Sequence, residues 1–383
     1  MVRVRAYILF SAMSILAYSC LYDDLPDGRD LTVELRWIGY PGESREDFVT
    51  GLTWNLSYLG ATLPEGCMTA GLVWRDASRF ALDISRLGFD KQADQAWSLI
   101  LSTLRQSEEY RFTGAIDAGR FVALTLNSSA QYYAITGAAA TFEQFRSHYT
   151  FRPDRVGILT SSVARGSRVI ELPSASGVLS MAFIAHEAVG SLDNLDLTVS
   201  DREVFDFMDN GQMRFAVYDK DGRLKAASDT SVSLAGKPAK CLWCHEIDLQ
   251  VNRTSSSPVA GYLSPLQLSE EVARLRAIID DYRSEVESEI DFSKAQDHTL
   301  GELIYLSFMH PSPERLAEEW QIPVEEVETR MGAQAAHAYS EFPFLGNRLF
   351  RRSSADLLGP YPVFRSPDHE RDFSPYEPTL IPQ

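Results

Sequence analysis

The sequence predicts an α+β protein: helical in its first part, a β-meander or sandwich-like sheet in the middle, then mostly helical with an irregular tail. Three observations carry this. Apolar residues recur at helical spacing before about residue 150. The period then drops to two between Arg168 and Ala226, where Asn210-Gly211 and Asp221-Gly222 divide the alternating stretches. Helical spacing returns from Leu268 onward. The chain has 383 residues, 45% of them hydrophobic and 23% charged, enough for two or three units with ordinary cores. With 53 acidic against 36 basic residues the net charge is −17. Such a field repels phosphate backbones and argues against nucleic acid as a partner.

Taken in order, LTVELRWIGY reads as a short strand. Asp76 is placed to cap a helix carrying Phe80, Ile84 and Leu87, with Gly88 stopping it. Asp90 opens a second helix with Trp97, Ile100, Leu101 and Leu104 inward, and Asp117 to Leu126 is a third. Thr141 and Gln144 have capping-box spacing for a fourth. Arg168–Leu172, Leu179–Glu187, Val204–Met208, Gln212–Tyr218 and Arg223–Ala226 read as strands. Ser264-Pro265-Leu266-Gln267 combines an N-cap, Pro at the first helical position and a capping-box Gln. It opens a long helix with Leu268, Val272, Leu275, Ile279, Tyr282 and Val286 on one seam. Thr299–Met309, the stretch from Ser312-Pro313 and Val324–Met331 are shorter helices.

The N-terminus reads as an address. Arg3 and Arg5 precede an apolar stretch, Ala6 to Tyr18, that is too short for a comfortable membrane span. Leu16-Ala17-Tyr18-Ser19-Cys20 resembles a bacterial lipoprotein box. The resemblance implies lipidation of Cys20 and a place in the cell envelope, as a periplasmic or outer-membrane lipoprotein held by its lipid. Simple cleavage after Ser19 and an uncleaved anchor are the other routes.

The most specific pattern is Cys241-Leu242-Trp243-Cys244-His245. Chance gives about one such Cys-x-x-Cys-His per thousand chains of this composition. The pentapeptide resembles the haem-attachment signature of c-type cytochromes. That resemblance implies one covalent haem c, with Cys241 and Cys244 as thioether anchors and His245 as proximal iron ligand. A sixth ligand is then sought downstream. Met309 and His310 end a helix that reads as buried, and His298 is the other main candidate, ahead of Met331 and His337. A dithiol redox pair, a zinc site and an inert pair are the alternatives, although no second Cys-x-x-Cys or close His pair completes a zinc set.

With the resemblance the chain divides into a signal peptide (1–19), a tether (20–40), a mainly helical region (41–160), a β-rich region (161–235), a haem module (236–339) and a wrapping tail (340–383). The expected function is electron transfer or haem-based redox chemistry with a redox partner protein. A non-enzymatic binding or scaffold lipoprotein and an extracytoplasmic dithiol oxidoreductase are the alternatives. His186-Glu187 reads as structural and Cys67 as a buried free thiol.

Overall fold

A computed structural model describes residues 30–161, 163–191, 196–250, 253–256, 261–364 and 380. Cys20, the segment read as a signal peptide, the start of the tether and much of the wrapping tail lie outside the described residues.

The architecture is α+β. Strand β1 (Thr32–Arg36) leads to α1 (Arg45–Tyr58), where Ser44 and Asp47 close a capping box. After the short α2 (Cys67–Gly71) come β2 (Leu72–Trp74) and β3 (Arg79–Asp83). The helix expected from Asp76 is therefore a strand. Asp76 accepts from the Ser78 and Arg79 amides at 2.9 and 2.8 Å, forming a turn that feeds β3. Phe80, Ala81 and Leu82 are all buried because β3 is central, with β1 and β2 on either side. A short apolar run carries no period that separates such a strand from a helix.

The expected helix after Asp90 is α3 (Asp94–Gln106), entered through a single 3-10 turn, with Trp97, Ile100, Leu101 and Leu104 buried. Then follow α4 (Glu108–Thr113) and β4 (Ile116–Asp117), which pairs parallel with β1. Asp117 caps α5 (Ala118–Leu126), and α6 (Ser129–Thr136) and α7 (Phe142–Ser147) complete this lobe.

The middle of the chain is a meander. Strands β5 (Phe151–Ser161), β6 (Ser167–Pro173), β7 (Ala182–Ser191), β8 (Asp196–Phe207) and β9 (Met213–Asp219) pair antiparallel in chain order. Sequence reasoning misses β5 because Pro153 and Gly157 interrupt it, and its register does shift between Phe151 and Arg155. The strand expected at Arg223–Ala226 is reduced to isolated bridges, Thr141 to Arg223 and Tyr218 to Leu224. The Lys225 amide still donates to the Val217 carbonyl at 2.9 Å, and its side chain reaches Asp201 at 2.8 Å.

The motif forms α8 (Pro238–His245), and β10 (Arg253–Ser256) then adds to the sheet beside β5. The long helix α9 (Pro265–Glu285) carries the expected capping box on Ser264 and Gln267. Helices α10 (His298–Met309), α11 (Pro313–Trp320), α12 (Val324–Met331) and α13 (Arg352–Leu358) follow. The main apolar core runs from Leu31 through the sheet to Leu349 and Leu380, and a smaller cluster of Leu316, Trp320, Val327, Met331, Phe350 and Ala355 joins α11, α12 and α13. Helices α1 and α10 lie in backbone contact at Gly51 and Gly301, where an added Cβ would meet atoms of the opposite helix at 2.7 and 2.8 Å.

Candidate functional site

Helix α8 has two different faces. Leu242 and Trp243 are buried toward the helical lobe, and the Trp243 ring sits 5.7 Å from Tyr58 and 5.9 Å from Tyr305. Cys241, Cys244 and His245 lie at i, i+3 and i+4, which puts them on one side of the helix. That side roofs a cavity of about 210 Å³ against the sheet. Strands β5 to β9 each turn alternate residues into it, including Val156, Ile158, Phe183, Phe205 and Phe215, and α9 closes one side with Leu268 and Val272. The cavity is therefore built from one face of the meander, and its wall is mainly apolar.

His245 is the best-positioned polar group. Its Nδ1 lies 3.1 Å from the Asp248 carbonyl, which only accepts, so Nδ1 carries the proton and Nε2 keeps its lone pair. Phe205 and Phe215 flank the ring at 5.4 and 5.2 Å. Burial lowers its pKa from the ordinary value and favours the neutral imidazole. Cys241 and Cys244 are not in a disulfide. Cys241 donates toward the Lys237 carbonyl at 3.7 Å, and its remaining accessible surface faces the cavity. Burial pushes its thiol far above the usual range, with the Glu203 charge adding to the effect.

A charged cluster stands at the cavity edge. Arg168 of β6 lies between Glu187 of β7 and Glu203 of β8, with Glu203 at 2.9 Å. The Ser228 hydroxyl donates to Glu203 at 2.8 Å. Glu187 is fully buried, and burial, followed by the charge of Glu203, raises its carboxyl to about 8. The sequence reads His186 and Glu187 as structural polar residues, and both are paired, but on opposite faces of β7, since neighbours on a strand face opposite ways. His186 points to the other face, where its Nε2 meets Glu171 at 2.7 Å. Arg168, Glu203 and Asp248 also escape sequence reasoning, since only the strand register and the turn after α8 bring them to the motif.

The expected sixth ligands are not brought to His245, and none of the three lines the cavity. Met309 is wholly buried in the helical lobe. His298 is buried beside Trp54, at 6.5 Å between rings. His310 packs against His337 and Tyr339 at 4.6 and 5.3 Å. The physical reason is that α10 packs on α1 and α5, on the far side of α8 from the sheet. Cys67 is disulfide-bonded, so the free-thiol reading of that residue is also corrected.

No family model matches the chain, and neither a curated protein nor a solved structure is similar to it. Among the described residues, no group of three or more His, Cys, Asp and Glu side chains is placed to hold a metal ion. The identification with c-type cytochromes is corrected accordingly. The likeness ends with five residues of sequence, and the chain is not assigned to that family. The same finding gives no support to the zinc alternative, since zinc takes four protein ligands in structural sites and three in catalytic ones.

Proposed function

We propose that the cavity beneath α8 binds a planar apolar macrocycle carrying its own iron, a haem, and that the protein is a redox component of a bacterial cell envelope. One observation carries the reading: two thiols and a neutral imidazole share one helix face over an apolar cavity. Among the described residues no cluster of three or more ligating side chains supports a bare ion, so in this reading the iron would arrive already held in a ring. In this reading Cys241 and Cys244 would hold the ring covalently through their sulfurs, and His245, its ring fixed through Nδ1, would hold the iron. Phe205 and Phe215 keep water from the imidazole. A bound haem would supply one-electron iron chemistry. The envelope setting and a redox partner protein belong to the same proposal.

In the dithiol oxidoreductase alternative the exposed Cys244 would be the attacking thiol and the buried Cys241, held protonated, the resolving one. The test is to make the full chain in a host able to attach haem covalently. The expected result is a haem absorption spectrum and a haem stain that survives denaturation, with the stain lost in a Cys241→Ser/Cys244→Ser variant. An exported, folded and colourless protein would overturn the reading and leave an apolar-ligand binding or scaffold role.

A further inference from the structure

We propose that Arg276, on α9, is a positioning residue that presets His245 by locking the turn Glu246–Leu249. The inference rests on the ligand role given to His245 above, and it concerns a residue on a different element.

The turn that follows α8 is strained. Glu246 and Ile247 have φ of 47° and 64°, two consecutive non-glycine residues in the left-handed region. For a β-branched residue such as Ile247 this conformation is a true outlier. Strain of this kind persists only where the surroundings hold it. Here it turns the chain back on itself. The Asp248 amide donates to the His245 carbonyl at 2.8 Å, and the Asp248 carbonyl meets His245 Nδ1. The strain thus places an acceptor under the imidazole.

Two arginines of α9, seven residues apart, hold the turn. Arg276 donates through Nε to the Asp248 carboxylate at 2.9 Å and through its terminal nitrogen to the Leu249 carbonyl at 2.8 Å. The Leu249 amide donates to the same carboxylate oxygen at 2.6 Å. Arg283 donates to the Ile247 carbonyl at 2.7 Å and is itself tied to the Gly211 carbonyl at 3.0 Å. Arg283 is buried, whereas Arg276 and Asp248 are 40% and 43% exposed at their side chains. An exposed ion pair of this kind adds little to global stability. Its evident effect is local: it fixes the one residue whose carbonyl decides which imidazole nitrogen carries the proton.

The test uses the full chain without haem, labelled with ¹⁵N at histidine, with the His245 signals assigned by their loss in His245→Asn. The wild-type protein is expected to show one tautomer, protonated at Nδ1. In Arg276→Ala the His245 signals should shift toward a mixture of tautomers, and Arg276→Lys should restore part of the wild-type state. Arg274→Ala, which breaks only the pair with Glu271 on the same helix, should leave them unchanged. A wild-type tautomer in a folded Arg276→Ala protein would overturn the proposal. Haem staining of the wild type separates the two claims. A colourless wild type with a tautomer shift in Arg276→Ala would keep the positioning role and remove the cofactor. A stained wild type with no shift in the variant would do the reverse.

Discussion

Replacing Glu187 by Gln should stabilise the protein above pH 8 and leave it nearly unchanged below pH 5. The side chain is fully buried beside Arg168 and Glu203, and its carboxyl is held at about 8 where an unfolded Glu titrates near 4.5. Between those values the unfolded chain has lost the proton while the folded chain keeps it. The folded state binds more protons, so stability falls as pH rises through this window and is level on either side. At about 1.4 kcal/mol per pH unit the full effect is about 5 kcal/mol. Water entry and relaxation beside the cavity reduce this to about 2–4 kcal/mol, in keeping with an effective dielectric above that of dry protein. Glu43 and Glu109 are raised to about 7 by burial and slope the same way, but their contributions cancel in a comparison of the two proteins. The glutamine side chain copies the protonated acid in shape and cannot ionise. Urea unfolding followed by circular dichroism at unit intervals from pH 5 to pH 9 measures the difference. It should grow with pH and level off near pH 9. A difference that is constant across the range, or largest at pH 5, would refute the argument.

Glu171 should act in the opposite direction and in a lower window. Burial raises its carboxyl, but hydrogen bonds from His186 and Arg146 outweigh this and bring it to about 2. Its stabilisation is complete above about 4.5 and is lost as pH falls toward 2, so Glu171→Gln should flatten acid unfolding and leave the slope above pH 6 intact. Glu319 is buried between Arg120 and Arg352, at 3.2 and 2.8 Å. Breaking this group with Glu319→Ala should cost about 3–5 kcal/mol in urea unfolding, and a loss below about 1 kcal/mol would contradict the accounting. Gly51→Ala should destabilise by about 1–3 kcal/mol or more, because the new Cβ would lie 2.7 Å from the Leu300 carbonyl carbon and oxygen. Thermal unfolding reads this directly, and an unchanged melting temperature would show that α1 and α10 separate at little cost.

Elements with strong end signals were legible in the sequence. Ser264 and Gln267, Asp117, and Ser312 with Pro313 each placed a helix start to within a residue. Elements whose identity depends on neighbours were not. Phe80 to Leu82 became a strand because β1 lies alongside, and β5 survives Pro153 and Gly157 because partners on both sides supply its hydrogen bonds. The site divides in the same way. Cys241, Cys244 and His245 are local, and helical spacing alone puts them on one face. Glu187, Glu203, Asp248 and Arg276 reach the site through strand register, a left-handed turn and the path of α9, none of which leaves a short-range pattern. Met309 and His310 illustrate the converse. Their ligand chemistry was visible, but the direction of α10 was not.

Unfavourable features gather around α8. The cavity forfeits the packing that an apolar fill would give its walls. Glu187 is a carboxyl buried within reach of a second carboxyl. Glu246 and Ile247 hold left-handed backbone without glycine, at a cost of about 1–2 kcal/mol each. Single strained points also lie elsewhere: Leu63 and Gln321 are left-handed without glycine, and burial raises Glu43 and Glu109. Around α8 three such features meet, the pattern expected where a site is built at the expense of stability. The three conflicts also have one resolution in common. A flat, mainly apolar group would fill the void, exclude water from the cluster at its edge and use the imidazole that the strained turn holds in place. The same logic makes an observable demand: under the haem reading, loading should keep Glu187 protonated to higher pH, because burial already raises this carboxyl. A carboxylic acid infrared band present at pH 7 without haem, absent in Glu187→Gln and fading by pH 9, should persist at pH 9 on loading. A band that fades over the same pH range in the loaded protein would break the link between the cluster and the cavity.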